Sequence, residues 1–158
     1  MKGNAEVIKV LNDVLRKELT GINQYFIHAK MCKNWGYAVI ADIVWKESID
    51  EMKHADRLIE RIIFLEGVPN ISAYDKISVG GTVKQQFQND LGLEQAALTI
   101  LGPGIKTCLA AGDDATRDLL ESLVLDEERH IDWLETQLKQ MEEIGNQNYL
   151  AQQIFKKD

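Results

Sequence analysis

Proline and cysteine are both scarce, each occurring only twice in the 158 residues. So little proline leaves room for long helices, since an internal proline removes a backbone donor and clashes with the preceding turn. Cys32 and Cys108 stand apart with no Cys-x-x-Cys spacing, which argues against a zinc site and against a disulfide framework. No apolar run approaches the length needed to span a bilayer, and Met1-Lys2-Gly3-Asn4 lacks the apolar core of a signal peptide. A cytoplasmic location with no membrane partner is the expectation. Net positive charge is missing too: the formal charge is −7, which argues against a nucleic-acid partner and favours cations. What is present is ordinary for a globular chain, 45% hydrophobic and 27% charged residues, and the length suits a single domain over residues 1–158.

One short motif occurs twice. Asp50-Glu51-Met52-Lys53-His54 returns as Asp126-Glu127-Glu128-Arg129-His130, and Ala55-Asp56 is echoed by Ile131-Asp132. On a helix, Glu at i and His at i+3 lie about 60° apart, so both address one cavity. A carboxylate oxygen and an imidazole nitrogen converging there form half of a site for a first-row transition metal. Two copies on two helices give two half-sites. Bridging carboxylates are then expected from two further helices, where Glu18 and Glu94 stand alone in apolar rows.

The chain order supports four helices and a short fifth. The first begins near Asn4, a favourable N-cap, carries Leu11, Val14, Leu15, Glu18, Ile22 and Tyr25 inward, and stops at Asn34-Trp35-Gly36. The second runs from about Tyr37 to Leu65. Glu47, Asp50, Glu51 and His54 share one of its faces, while Trp45, Ile49, Met52 and Ile59 form another. Two apolar faces on one helix imply two partners, hence a subunit interface. Gly67-Val68-Pro69-Asn70 ends this helix, and the stretch to Gly80-Gly81 is long enough to cross the bundle, so that the second and third helices run parallel. The third begins near Thr82 and carries Phe87, Asp90, Leu91, Glu94, Leu98 and Leu101 inward. Gly102-Pro103-Gly104 is expected to interrupt it, with the apolar pattern resuming at Ile105 and ending by Gly112. Asp113 or Asp114 caps the fourth, whose inward row includes Leu120, Leu123, Glu127, His130 and Leu134. Gly145 closes it, and Asn146 to Phe155 reads as a short fifth helix.

Six residues on four helices are therefore candidate ligands: Glu18, Glu51, His54, Glu94, Glu127 and His130. Four buried carboxylates demand compensation, and two divalent cations would balance them in charge. Oxygen-rich sites with one imidazole each suit iron or manganese better than structural zinc. Asp50, Asp90 and Asp126 are placed to orient the histidines from behind. Tyr25 reads either as a packed core phenol or as a redox-active neighbour of the metals. His28 reads as a surface or contact histidine, and Trp133 as packing.

One Glu from each of two helices, with Glu-x-x-His from each of two others, is the ligand pattern of ferritin-like di-iron bundles. In detail the chain resembles bacterioferritin, a resemblance that runs nearly end to end. It is carried by Met1-Lys2-Gly3, Gly21-Ile22-Asn23-Gln24-Tyr25-Phe26, Asn34-Trp35-Gly36, the run Glu47 to Asp56, Leu65-Glu66-Gly67-Val68-Pro69-Asn70, Glu127 with His130-Ile131-Asp132-Trp133-Leu134-Glu135, and Asn148-Tyr149-Leu150. The resemblance implies an all-α, ferritin-like four-helix bundle with a long crossover between the second and third helices and a short C-terminal helix. It implies a ferroxidase that oxidises Fe(II) to Fe(III) at an intrasubunit di-iron centre, using O2 or H2O2, and stores ferric mineral in a hollow 24-subunit shell built from dimers. A second subunit type in that shell is compatible with it. It further implies haem b across each dimer interface, held by Met52 from each subunit and lined by Leu19, Ile22, Asn23, Phe26, Trp45 and Ile49. A small ferredoxin would serve as electron donor for iron release. Lys46 stands where several relatives have a histidine linked to an inner-surface iron site, and an ammonium there would repel cations. Two rivals share much of the pattern: a rubrerythrin-like di-iron peroxidase or oxygenase, disfavoured because no Cys-x-x-Cys pair is present, and a haem-binding electron-transfer shell subunit.

Overall fold

The computed structural model describes residues 1–158 as five helices: α1 (Ala5–Asn34), α2 (Ala38–Phe64), α3 (Val83–Ala111), α4 (Asp114–Ile144) and α5 (Asn146–Ala151). Helix starts follow the expected capping chemistry. The Asn4 side chain accepts from the Glu6 and Val7 amides, Thr82 from Gln85, and Asp113 from Thr116. Arg61 of α2 also donates to Asp113 Oδ1 and Thr116 Oγ1, both at 2.8 Å, tying α2 to the start of α4. No helix is long and apolar enough to cross a membrane.

Pairs of residues in contact define the topology. α1 lies against α2 and α3, and α3 against α4. Across α1 and α3, Gln24 meets Asp90, Cys32 meets Gln86, and Val10 meets Gly104, so these two helices are antiparallel. Because α1 and α2 join through a short turn, α2 and α3 run parallel, as the length of their connection suggests. That connection lies along α1 and is stitched to one row of its side chains. Asn12 accepts from the Asn70 amide, Thr20 from Asp75, Gln24 from Ser78 and His28 from Gly80. Arg16, one turn from Asn12, pairs with Asp75 at 3.2 Å. An every-fourth-residue polar row on α1 thus satisfies the backbone of a segment with no secondary structure of its own.

Two expectations are corrected. Gly102-Pro103-Gly104 does not interrupt α3, which is helical throughout Val83–Ala111. Leu101 and Cys108, both buried, hold the two sides of the proline in the core. Gly104 is so close to α1 that a Cβ there would lie 2.6 Å from Val10 Cγ1. Packing against α1 therefore outweighs the lost backbone hydrogen bond. At the end of α2 the left-handed residue is Glu66, φ 61°, one residue before the glycine. Its amide and that of Gly67 bond to the Ile63 and Ile62 carbonyls, closing a Schellman turn. Gly67 is needed for space, since a Cβ would meet Ile8 at 2.8 Å. The fifth helix ends at Ala151 rather than Phe155, with Tyr149 tucked into the bundle and donating to Gln137.

The core is split by a polar layer. One apolar cluster gathers Leu11, Leu15, Leu58, Ile62, Leu101, Leu120 and Leu123. The other gathers Tyr25, Ile40, Val44, Phe87, Leu134 and Tyr149. Glu18, Glu51, Glu94 and Glu127 fall between them, one from each long helix.

Candidate metal centre

Each long helix delivers one glutamate to that layer because an otherwise apolar stripe carries a carboxylate at the same height. All four glutamates are at most 5% exposed, and His54 and His130 are 7% exposed. The six predicted residues converge as two overlapping groups whose candidate ligand atoms lie within 4.8 Å of one another: Glu18, Glu51, His54 and Glu127 in one, Glu51, Glu94 and His130 in the other. Sequence spacing pointed to Glu18 and Glu94 as the shared carboxylates. In the structure each belongs to a single group, and Glu51 is common to both. Glu51 owes that position partly to Gly21, where a Cβ would lie 3.2 Å from its Oε2.

Both histidines turn Nδ1 inward. His54 Nδ1 lies 3.2 Å from Glu18 Oε2 and 3.5 Å from Glu127 Oε1, and His130 Nδ1 is 2.8 Å from Glu94 Oε1. The two aspartates placed in the repeated motif behave differently. Asp126 receives His54 Nε2 at 3.1 Å, so it orients that ring. Asp50 instead pairs with Lys53 at 2.8 Å and reaches no histidine. Asp90 also misses both site histidines and bonds to His28 and Gln24. His28, read as a surface or contact residue, is fully buried; its single charge-capable ring in a polar row resembled a solvated face.

Tyr25 joins the centre directly, its hydroxyl donating to Glu94 and its ring 5.1 Å from that of His130. Burial, followed by the charges of Glu94, Asp90 and Glu51, pushes the phenol pKa well above its ordinary value. Trp133 packs as expected, 5.4 Å from the Phe87 ring and 6.2 Å from His130. Burial and then the Glu18 and Glu94 charges raise the Glu51 carboxyl well above the usual range. For His130, burial opposes the charged ring, but the hydrogen bond it donates to Glu94 and the charges of Glu94, Glu47 and Asp90 together raise its pKa. Glu127 Oε1 is buried with no hydrogen-bond partner at all, an arrangement that costs about 1–3 kcal/mol or more unless a cation takes the lone pair. These donors fit a divalent metal.

The centre opens into a cavity of about 490 Å³ whose wall includes Glu47, Asp50, Asp126, Arg57 and Arg129. Glu47, on the same face as Glu51 but outside the six, lies 3.6 Å from His130 Nδ1. Its position four residues before Glu51 was the available signal. Lys46 is exposed and does not line this cavity. Met52 is 51% exposed on another face of α2, two turns along from Trp45, whose exposed ring lies 5.4 Å from that of Phe26.

A ferritin-like domain model matches residues 8–144. The bacterioferritin of Mycobacterium leprae is 45% identical over 152 residues, 96% of this chain and 96% of its own length. This chain belongs to the bacterioferritin family. Similarity extends to the bacterioferritins of Rhodobacter capsulatus, 42% identical over 94% of this chain and 92% of that one, and of Streptomyces coelicolor, 42% identical over 96% and 90%. Membership makes iron storage the setting in which the buried carboxylate–histidine layer is to be understood.

Proposed function

We propose that this bacterioferritin is a ferroxidase. Glu18, Glu51, His54, Glu94, Glu127 and His130 take up two ferrous ions as substrate and release them oxidised for storage. The observation that carries the reading is the buried layer of four carboxylates and two inward Nδ1 atoms in which Glu127 Oε1 has no hydrogen-bond partner. Four carboxylates balance two divalent ions in charge. Glu51, common to both groups, takes the bridging place, with Glu18 and His54 on one side and Glu94 and His130 on the other.

Oxidation of two Fe(II) to two Fe(III) delivers two electrons, which reduce O2 with two protons to H2O2, or H2O2 with two protons to two waters. Either oxidant balances. Six positive charges then face four negative ones, an excess that hydroxide from water would offset, and the acidic groups Glu47, Asp50 and Asp126 line the cavity into which the centre opens. The exposed ammonium of Lys46 adds no ligand there.

In the same reading the chain assembles through dimers into a hollow 24-subunit shell, alone or with a second subunit type. Met52 holds haem b together with Met52 of a second copy. An exposed thioether on the face of α2 that also carries the exposed Trp45 fits half of such a site, since a soft, uncharged donor suits haem iron. Haem supplies one-electron chemistry between the outside and the stored iron, with a small ferredoxin as donor. The test of the ferroxidase reading is stopped-flow mixing of ferrous protein with oxidant: wild type shows a fast phase for two irons per chain, and Glu94→Ala or Glu127→Ala abolishes it. A wild-type rate in Glu127→Ala overturns the assignment.

A further inference from the structure

Next to the metal centre lies a second buried polar cluster, Gln24, His28 and Asp90, none of which is among the six candidate ligands. Tyr25 and His28 are one turn apart on α1, and Glu94 and Asp90 are one turn apart on α3. They meet as two rungs: Tyr25 on Glu94, and His28 Nδ1 on Asp90 Oδ1 at 2.9 Å. Gln24 Nε2 donates to the same Asp90 oxygen at 2.8 Å. Gln24, His28 and Asp90 are each at most 1% exposed.

Gln24 and His28 are two-headed in the same way. Each gives a hydrogen to Asp90 with one end and receives one from the α2–α3 crossover with the other. Gln24 Oε1 accepts from the Ser78 amide at 3.1 Å, and His28 Nε2 accepts from the Gly80 amide at 3.1 Å. A backbone N–H can only donate, so Nε2 must present its lone pair and the ring hydrogen sits on Nδ1, aimed at Asp90. The far side of Gly80 is closed by Gln86 Nε2 on its carbonyl at 3.1 Å, and a Cβ at Gly80 would lie 2.4 Å from the Gln86 amide nitrogen. The crossover can thus approach no other way.

We propose that Gln24, His28 and Asp90 are positioning residues that carry the docking of the crossover at Ser78 and Gly80 to the Tyr25–Glu94 contact of the metal centre. The inference rests on the metal-centre reading, because it names what sets one half of that centre. Mechanically, the second rung fixes the rotation and separation of α1 and α3 one turn from the first. With Asp90 released, the two helices are free to shift, and a shift of about 1 Å at catalytic groups can cost about a hundredfold in rate.

The test compares His28→Leu, which removes both hydrogen bonds, with His28→Gln, whose planar amide again offers one donor and one acceptor. In the metal-free crystal structure of His28→Leu the Tyr25–Glu94 hydrogen bond is lost, and ferrous oxidation falls at least tenfold. His28→Gln restores both. Gln24→Met, a milder change of similar volume, shifts both in the same direction by about threefold and covers the case in which His28→Leu does not fold. Retention of the Tyr25–Glu94 bond and of the rate in either apolar variant overturns the proposal, as does a wild-type nitrogen-15 spectrum placing the His28 hydrogen on Nε2. Cobalt(II) titration of wild type separates the two levels. Failure to bind two ions removes the metal reading, whereas the metal-free crystal structures decide the relay regardless.

Discussion

Replacing Glu51 by Gln should make the stability of the metal-free protein less sensitive to alkaline pH. Glu51 lies within 4.8 Å of candidate ligand atoms of Glu18 and Glu94. At an effective dielectric of about 20, two ionised carboxylates at that separation repel by about 3.5 kcal/mol. Burial first, and then this repulsion from Glu18 and Glu94, raise the Glu51 carboxyl well above the usual carboxylate range. A carboxyl raised in the folded state binds its proton more tightly there than in the unfolded chain. The stability this proton contributes is fully present below the unfolded pKa and is lost as pH rises from there through the folded one, by about 1.4 kcal/mol per pH unit at most. His130, also raised, contributes stability below its folded pKa that is lost above it, so the two slopes share a sign. Gln keeps the shape and can still donate to Glu18, but never ionises. The stability of metal-free Glu51→Gln relative to wild type should therefore rise between pH 5.5 and pH 8.5, by at most about 4 kcal/mol over those three units, seen calorimetrically as a relative gain in Tm. A metal-free wild type that gains stability between those pH values, or a Glu51→Gln protein that loses stability relative to wild type between them, would refute the reasoning.

Met52→Leu should lose haem absorbance while the initial ferrous oxidation rate stays near wild type, because Glu51 and Met52 are about 100° apart on α2; a bis-thioether haem spectrum in the purified variant contradicts this. Pro103→Ala should stabilise the chain by about 1–3 kcal/mol in denaturant titration by restoring a backbone hydrogen bond within α3, whereas Gly104→Val should destabilise it through the collision with Val10. Burial followed by the Asp90 charge pushes the Cys32 thiol to about 12, so alkylation at pH 8 should proceed only on unfolding, detectable by mass spectrometry of the intact chain.

The buried carboxylate–histidine cluster was legible because helical geometry converts spacing into direction. Glu51 with His54 and Glu127 with His130 repeat at one offset, and Glu18 and Glu94 interrupt apolar rows, so all six had to face inward. Which carboxylate the two groups share was not legible, since it depends on the room that Gly21 leaves across α1 and α2. The polar row Asn12, Arg16, Thr20, Gln24 and His28 has the spacing of a solvated helix face. Only the path of the crossover over that face turns it into buried partners for backbone amides. Pro103 misled for the complementary reason: proline's local cost is fixed, but the partners against which α3 packs around it, such as Val10 and Leu120 at Gly104, lie on other helices.

Anaerobic titration of ferrous iron into the metal-free protein, followed by one addition of oxidant, tests the central claim most directly. Two ferrous ions per chain should bind tightly, their oxidation should give the optical signature of paired ferric ions, and Glu127→Ala should bind fewer. Saturation at zero or one ion per chain, or two-ion binding that survives unchanged in Glu127→Ala, would contradict it.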